Sequence, residues 1–325
     1  MTRPRGWTEE ARREAERAIA LFAQTGDRVG LAHGWRLIAH ICNRRLQWAE
    51  LERVGERIVG YARQAGDRRT ETRILGGISA SLCLGPTPAL EAVERCERIL
   101  AGLGGAPRPT MMVLDSLALC SAMLERFDEA ERFLARADAI REELSGKLWK
   151  VGRLEFSAWT YLLAGRPTDA ERVLRPAYEA FARMGEKGGT LAVHAALLAR
   201  AISAARGHDK EAERLTEIAE AAAAESEDVS AQIEWRITRA MMLATDGLEA
   251  EAESLAREAT RLVATTDCFP AQASTLLALA RVLRLGSRPA AAVQPAREAL
   301  AVAERKGDLA SSRAAHALLG DLRGA

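Results

Sequence analysis

Asparagine occurs once, at Asn43, and lysine only five times among 46 basic residues. With the abundant alanine, that bias points to a GC-rich bacterial coding sequence. No charge of one sign prevails: 46 basic and 45 acidic side chains leave a net charge of +1. This excludes the basic excess or stripe of a dedicated nucleic-acid binder and a polybasic membrane anchor. The longest apolar stretch, Leu191 to Ala205, is interrupted by His194 and Arg200, so no run of about 18 apolar residues offers a membrane span. The first ten residues, Met1 to Glu10, lead into no apolar segment of a secretory signal. Five cysteines (Cys42, Cys83, Cys96, Cys120, Cys268) are odd in number and form no Cys-x-x-Cys pair. They are expected as small buried hydrophobes in a reducing cytosol. Sustained two-residue alternation and Asn-Gly hairpins, the marks of β-structure, are missing as well.

Chemistry is equally sparse. No His-Glu-x-x-His, Gly-x-Ser-x-Gly, Gly-x-Gly-x-x-Gly or Gly-x-x-x-x-Gly-Lys-[Ser/Thr] motif occurs. The histidines are His33, His40, His194, His208 and His316. His33 and His40 are seven apart on one helix and could share a face, but a metal needs two or three further ligands. We therefore assign no catalytic, metal or cofactor residue and expect no enzyme and no cofactor.

What is present is a repeat. Asp128-Glu129-Ala130-Glu131-Arg132-Phe133-Leu134 returns as Thr168-Asp169-Ala170-Glu171-Arg172-Val173-Leu174, as Lys210-Glu211-Ala212-Glu213-Arg214-Leu215 and as Ala250-Glu251-Ala252-Glu253-Ser254-Leu255. With weaker copies the anchors fall at 11, 51, 89, 130, 170, 212, 252 and 292, spaced 40, 38, 41, 40, 42, 40 and 40 residues apart. After each anchor the apolar residues step by three and four, as a helix requires. Gly-Asp or Gly-Gly pairs about fifteen residues on (Gly26-Asp27, Gly66-Asp67, Gly104-Gly105, Gly307-Asp308, with Gly146 and Gly185) stop it. Asp then caps the next helix. A second helix precedes each following anchor and ends at Gly85-Pro86, Gly165-Arg166-Pro167, Gly207, Gly247 or Gly286-Ser287-Arg288-Pro289. Each repeat is therefore an antiparallel pair, helix A then helix B. A chain of 325 residues exceeds what one compact core usually holds, and a solenoid has no such ceiling. The expected fold is all-α: one right-handed α-solenoid of about eight helix–turn–helix repeats over residues 1–325. The first repeat lacks its A helix, and a terminal helix over 309–323 acts as a cap.

A helix pair with this alanine pattern resembles the tetratricopeptide (TPR) class, though the ~40-residue period is longer than the usual 34. More specifically, the segments Glu125-Arg126-Phe127-Asp128-Glu129-Ala130, Ala231-Gln232-Ile233-Glu234-Trp235-Arg236, Ala280 to Gly286 and Glu304 to Ala314 carry a resemblance in order and spacing. It is to the C-terminal helical-repeat region of bacterial signalling proteins that combine an adenylate/guanylate cyclase domain with an AAA/STAND-type ATPase. Neither activity comes with the resemblance, because the phosphate loop is missing and repeats fill the chain. What it implies is a role in protein contacts. A first element without its A partner suggests a truncated relative, a split gene product or an excised domain.

In such solenoids A helices line the concave face. Trp35-Arg36 and Trp235-Arg236 hold similar repeat positions, and Trp149 and Trp159 flank Arg153 on another A helix. Trp and Arg lead among binding hot spots. Trp35, Arg36, Arg153, Trp159, Trp235, Arg236 and Arg239 are thus candidate partner-binding residues for an acidic or C-terminal peptide. Alternatively the tryptophans fill the inter-repeat core with arginine stems packed along them. The expected function is a non-enzymatic protein–protein interaction scaffold in bacterial cytoplasmic signalling. The alternative is a peptide- or small-ligand-sensing module that changes curvature on binding. An apolar edge on the first helix (Ala15, Ala18, Ile19, Phe22) suggests a homodimer.

Overall fold

The computed structural model describes residues 7–144, 153–207 and 209–323; Gly146, Trp149 and His208 lie outside them. Sixteen helices follow one another, with no strand among the described residues. They are α1 (Trp7–Thr25), α2 (Arg28–Arg44), α3 (Trp48–Gln64), α4 (Arg68–Leu84), α5 (Ala89–Gly102), α6 (Pro107–Met123), α7 (Phe127–Glu143) and α8 (Leu154–Leu163). The second half comprises α9 (Pro167–Arg183), α10 (Gly189–Arg206), α11 (Lys210–Ala224), α12 (Val229–Thr245), α13 (Glu249–Val263), α14 (Phe269–Leu285), α15 (Pro289–Lys306) and α16 (Leu309–Arg323). The chain is an α-solenoid of helical repeats. Odd-numbered helices are the B helices and even-numbered ones the A helices.

The repeated small residue has a packing role. Ala89, Ala170, Ala212, Ala252 and Ala292 are fully buried where B helices meet their neighbours; of the flanking charged residues Glu171 is buried, while Arg172, Arg214 and Glu251 are exposed. The first A–B contact uses glycine for the same purpose. A Cβ at Gly34 would lie 2.6 Å from Ile19 Cγ1, and one at Gly30 would overlap the Phe22 ring. The apolar face of α1 is thus laid against α2, burying Ala15, while Leu21 is left exposed. Asp27, Asp67, Asp209 and Asp228 cap their helices through side-chain bonds to the backbone N–H groups of Gly30, Thr70, Glu211 and Ser230. All five cysteines are free and buried.

The superhelix closes on itself. Thr8 donates its backbone N–H (3.3 Å) and its hydroxyl (2.7 Å) to Glu227. Asp267 accepts from the Trp48 and Ala49 backbone N–H groups at 2.5 and 2.8 Å. Lys306 Nζ, on a side chain 1% exposed, donates to the carbonyls of Leu82, Gly85 and Thr87 at 2.9, 2.9 and 2.5 Å. Thr8–Glu227, Trp48–Asp267 and Thr87–Lys306 are each 219 residues apart. At about 40 residues per repeat, that is about five and a half repeats per superhelical turn. One seam therefore joins the starts of α1 and α3 and the turn ahead of α5 to the loops ahead of α12 and α14 and the C-terminal end of α15. Arg44 to Ser226 (3.0 Å) and Arg313 to Glu125 (2.9 Å) reinforce it. Glu227, Asp267 and Lys306 meet backbone groups at or next to a helix end, where orphaned N–H and C=O groups need partners.

Candidate functional site

Closing the turn surrounds a partly open lumen of about 760 Å³. Its wall comes from the A helices: the C-terminal ends of α2, α4 and α6, the lengths of α8, α10 and α12, most of α14, and the N-terminal part of α16. Only Trp48 and Phe181 reach it from B helices. A volume of this size lies within the range of small-molecule sites, which run from about 300 to 1,000 Å³.

Much of the wall is apolar, with Leu119, Phe156, Val193, Ile237 and Met241 among the lining residues. Polar groups are set into it in two clusters. The first surrounds His194 and Glu155. His194 is 3% exposed, and its Nδ1 is 2.9 Å from the Thr190 carbonyl. A carbonyl only accepts, so Nδ1 carries the proton, and in the neutral ring Nε2 is an acceptor. That Nε2 lies 3.7 Å from Glu155 Oε2, and neither atom has a hydrogen-bond partner. The Phe181 ring stands 4.8 Å from the imidazole.

Beneath this cluster lies a buried ionic network. Arg141 donates to both oxygens of the fully buried Asp115 at 2.9 and 3.1 Å and also holds Asp138. Arg153 Nε is 3.9 Å from Asp115, and its guanidinium lies 4.1 Å from the Phe156 ring centroid. Burial pushes the Asp115 carboxyl up to about 6 against the pull of Arg141 and Arg153.

The second cluster gathers Arg200, Glu234 and Arg281. Arg200 is 3.4 Å from Glu234. Burial raises the Glu234 carboxyl, opposed by Arg200 and by the Trp159 indole. Arg281 has no ion-pair partner among the described residues. It lines the lumen with part of its side chain exposed, and desolvation, then the charges of Arg200 and Arg284, lowers its pKa.

Of the tryptophans and arginines singled out from the sequence, Arg153 and Trp159 line the lumen. Arg153 sits one residue ahead of α8 with φ of +66°, not within the helix as the spacing suggested. Trp235 is buried in the inter-repeat core, with the Arg236 guanidinium 4.4 Å from its ring centroid. Arg236 and Arg239 reach Glu258 and Glu220 of the adjoining B helices at 3.1 and 2.9 Å. Trp35 packs on the first core under Arg57, and Arg36 meets His33 at 3.1 Å. Glu155, His194, Arg200, Glu234 and Arg281 were not singled out. For Glu155, His194 and Arg200 the signal is the interruption of a largely apolar A helix; Glu234 and Arg281 share their helices with other charged residues and carry no such signal.

No protein-family profile and no curated protein matches the chain. Among solved structures it is similar to a signal transduction ATPase with numerous domains (STAND) protein with a tetratricopeptide repeat sensor from Pyrococcus horikoshii. The TM-score is 0.51 at 11% identity, and the alignment covers 97% of this chain and 50% of that one. The chain thus spans about half the length of that protein. A circular tandem repeat protein with novel repeat topology and enhanced subunit contact surfaces aligns over 98% of this chain and 89% of its own at 15% identity, with a TM-score of 0.24. At such identity the likeness to the STAND protein is one of fold, a TPR-like solenoid of helical repeats.

Proposed function

We propose that the chain is a non-catalytic binding module whose small-molecule or short-peptide ligand occupies the lumen, and that it serves as the sensing repeat region of a bacterial cytoplasmic signalling system. The observation that carries this reading is the closed turn: a solenoid whose seam brings its ends together around a partly open lumen of about 760 Å³ offers a concave internal site. The solved STAND neighbour is described as having a tetratricopeptide repeat sensor, and a corresponding role fits a lumen with unpartnered polar atoms. Ligand contacts to A helices from both sides of the seam would couple occupancy to curvature. The cyclase- and ATPase-linked partners implied by the sequence resemblance would then read that curvature.

The test is retention. The protein is exposed to a bacterial metabolite-and-peptide extract, washed and denatured, and the released species are identified by mass spectrometry. Ser274→Trp, which places an indole in the lumen, is run alongside. A species kept by the unmodified protein and lost from the variant supports the reading; identical retention overturns it.

A second reading, a scaffold for an acidic protein segment, draws on Arg36, Arg69 and Arg73 of α2 and α4. Burial and the charges of Arg36 and Arg69 lower the Arg73 pKa, outweighing the opposing pull of Asp67. Charge reversal at Arg69 and Arg73 would abolish such binding and leave lumen retention intact. A homodimer through α1 would rest on Leu21, 62% exposed, and sedimentation at high concentration checks it.

A further inference from the structure

The two polar clusters of the lumen carry opposite surplus charge. Around His194, the carboxylates of Asp115, Asp138, Glu155 and Asp228 face the guanidinium groups of Arg141, Arg153 and Arg44. Arg141 and Arg153 are used by Asp115 and Asp138, and Arg44 by Asp228, which is also the N-cap of α12. Glu155 is left over. Around Arg281 the imbalance is reversed. Arg200 has Glu234 and Arg284 has Asp321 at 3.9 Å, while Arg281 has no carboxylate partner among the described residues.

The leftover groups also have the geometry of receptors. Glu155 Oε2 and His194 Nε2 are two acceptors 3.7 Å apart, so one nitrogen can stand within hydrogen-bond distance of both. The Phe181 ring also lines the lumen here, its centroid 4.8 Å from that of the imidazole. The planar fork of Arg281 suits a carboxylate. His194 and Arg200 lie on one helix six residues apart, on the order of 9 Å along its axis at 1.5 Å per residue. An extended peptide covers about 3.3–3.6 Å per residue, so three residues span that distance. A free α-amino acid, with both charges on one carbon, does not.

We propose that the lumen binds a linear zwitterion of tripeptide length, its ammonium end between Glu155 and His194 and its carboxylate end at Arg281 and Arg200. The proposal rests on the lumen reading above and names the ligand class for it. Ser203, whose buried hydroxyl has no partner, and Ser274 on the facing helix supply hydrogen bonds for the amides between.

The test uses an equimolar library of unblocked tripeptides, with N-acetylated and C-amidated versions of the same library and 8-aminooctanoate as probes. Bound species are isolated with the full chain and quantified by mass spectrometry. Unblocked tripeptides should be retained, and blocking either end should reduce retention about tenfold, the loss expected for one charge-assisted contact. Glu155→Gln should erase the preference for a free amine alone, and Arg281→Gln the preference for a free carboxylate alone. Glu155→Gln keeps side-chain size and Arg281→Gln shortens the side chain without adding bulk, and unchanged melting curves establish that both fold. Weak retention of 8-aminooctanoate beside strong tripeptide retention supports a peptide, while stronger retention of 8-aminooctanoate overturns the role given to the serines. Equal retention of blocked and unblocked libraries overturns the proposal. So does retention of no tripeptide while Ser274→Trp still displaces a species from the extract, in which case the lumen reading stands and the pair of acceptors holds water. Failure of both experiments removes both readings.

Discussion

Asp115 shows what burial does to a single side chain here. Its carboxylate is fully buried, bidentately held by Arg141, and yet raised from the ordinary aspartate value of 3.8 to about 6. The loss of hydration exceeds what the arginines return. Between those two values the folded chain holds a proton that the unfolded chain has released. Asp115 therefore contributes stability that is complete below the unfolded value, declines as pH rises toward 6 and is constant above it. The span is on the order of 2–3 kcal/mol. In urea titrations from pH 4 to 7, Asp115→Asn should lack that decline. At pH 7 it should be about 3 kcal/mol less stable than the unmodified protein, because Arg141 is then buried beside an amide. A parallel pH profile for the two proteins would refute the assignment. The lowered carboxyls, such as Glu71 beside Arg63 and Glu253 beside Arg257, act in the opposite direction, but equally in both proteins.

At the scale of the element, five of the seven turns from an A helix to its B helix repeat one backbone device. A residue with positive φ stands two positions before the B helix at Leu46, Glu125, Gly165, Gly247 and Ser287. Glycine adopts that conformation freely. An L side chain there costs about 1–2 kcal/mol. Ser287, with no other assigned role, tests this: Ser287→Gly should raise stability by about 1 kcal/mol after the added freedom of the unfolded chain is set against the relief. Chemical denaturation reads the change, and a loss of stability would refute it. The glycine turns were legible in the sequence as stop signals, and the three substituted turns were not. The cap of α3 was also hidden: Gln47 makes no side-chain cap, and Asp267 supplies it from the other side of the seam. Asp267→Ala should cost about 1–2 kcal/mol, although local sequence gives that residue no bearing on α3.

For the molecule as a whole, the seam decides whether the solenoid is an open spring or a closed ring. Lys306 contributes most: one buried ammonium satisfies three carbonyls at the end of α4 and beyond it. Lys306→Met keeps the length of the side chain and removes the donors. Stability should fall by about 3 kcal/mol, since hydrogen bonds to a charged group contribute about 1.5–3 kcal/mol each and part is offset by not burying the charge. Small-angle scattering should report a larger radius of gyration for the variant. An unchanged radius with the full loss of stability would mean that the remaining seam contacts close the turn without it.

The eight-fold spacing of small anchors, the periodic apolar steps and the Gly-Asp stops determined the helices, their pairing and the ~40-residue repeat, because those properties depend on neighbours three, four or forty residues away. The anchors from Ala89 onward are buried as that pattern requires. The lumen was decided at a distance of 219 residues. No local periodicity encodes superhelical pitch, which is the accumulated sum of small rotations between successive repeats. His194 and Arg200 were visible in the sequence only as interruptions of an apolar helix, and Arg281 carried no such signal. That they face one another across the lumen, with Glu155 and Glu234, follows from the pitch that closes the ring.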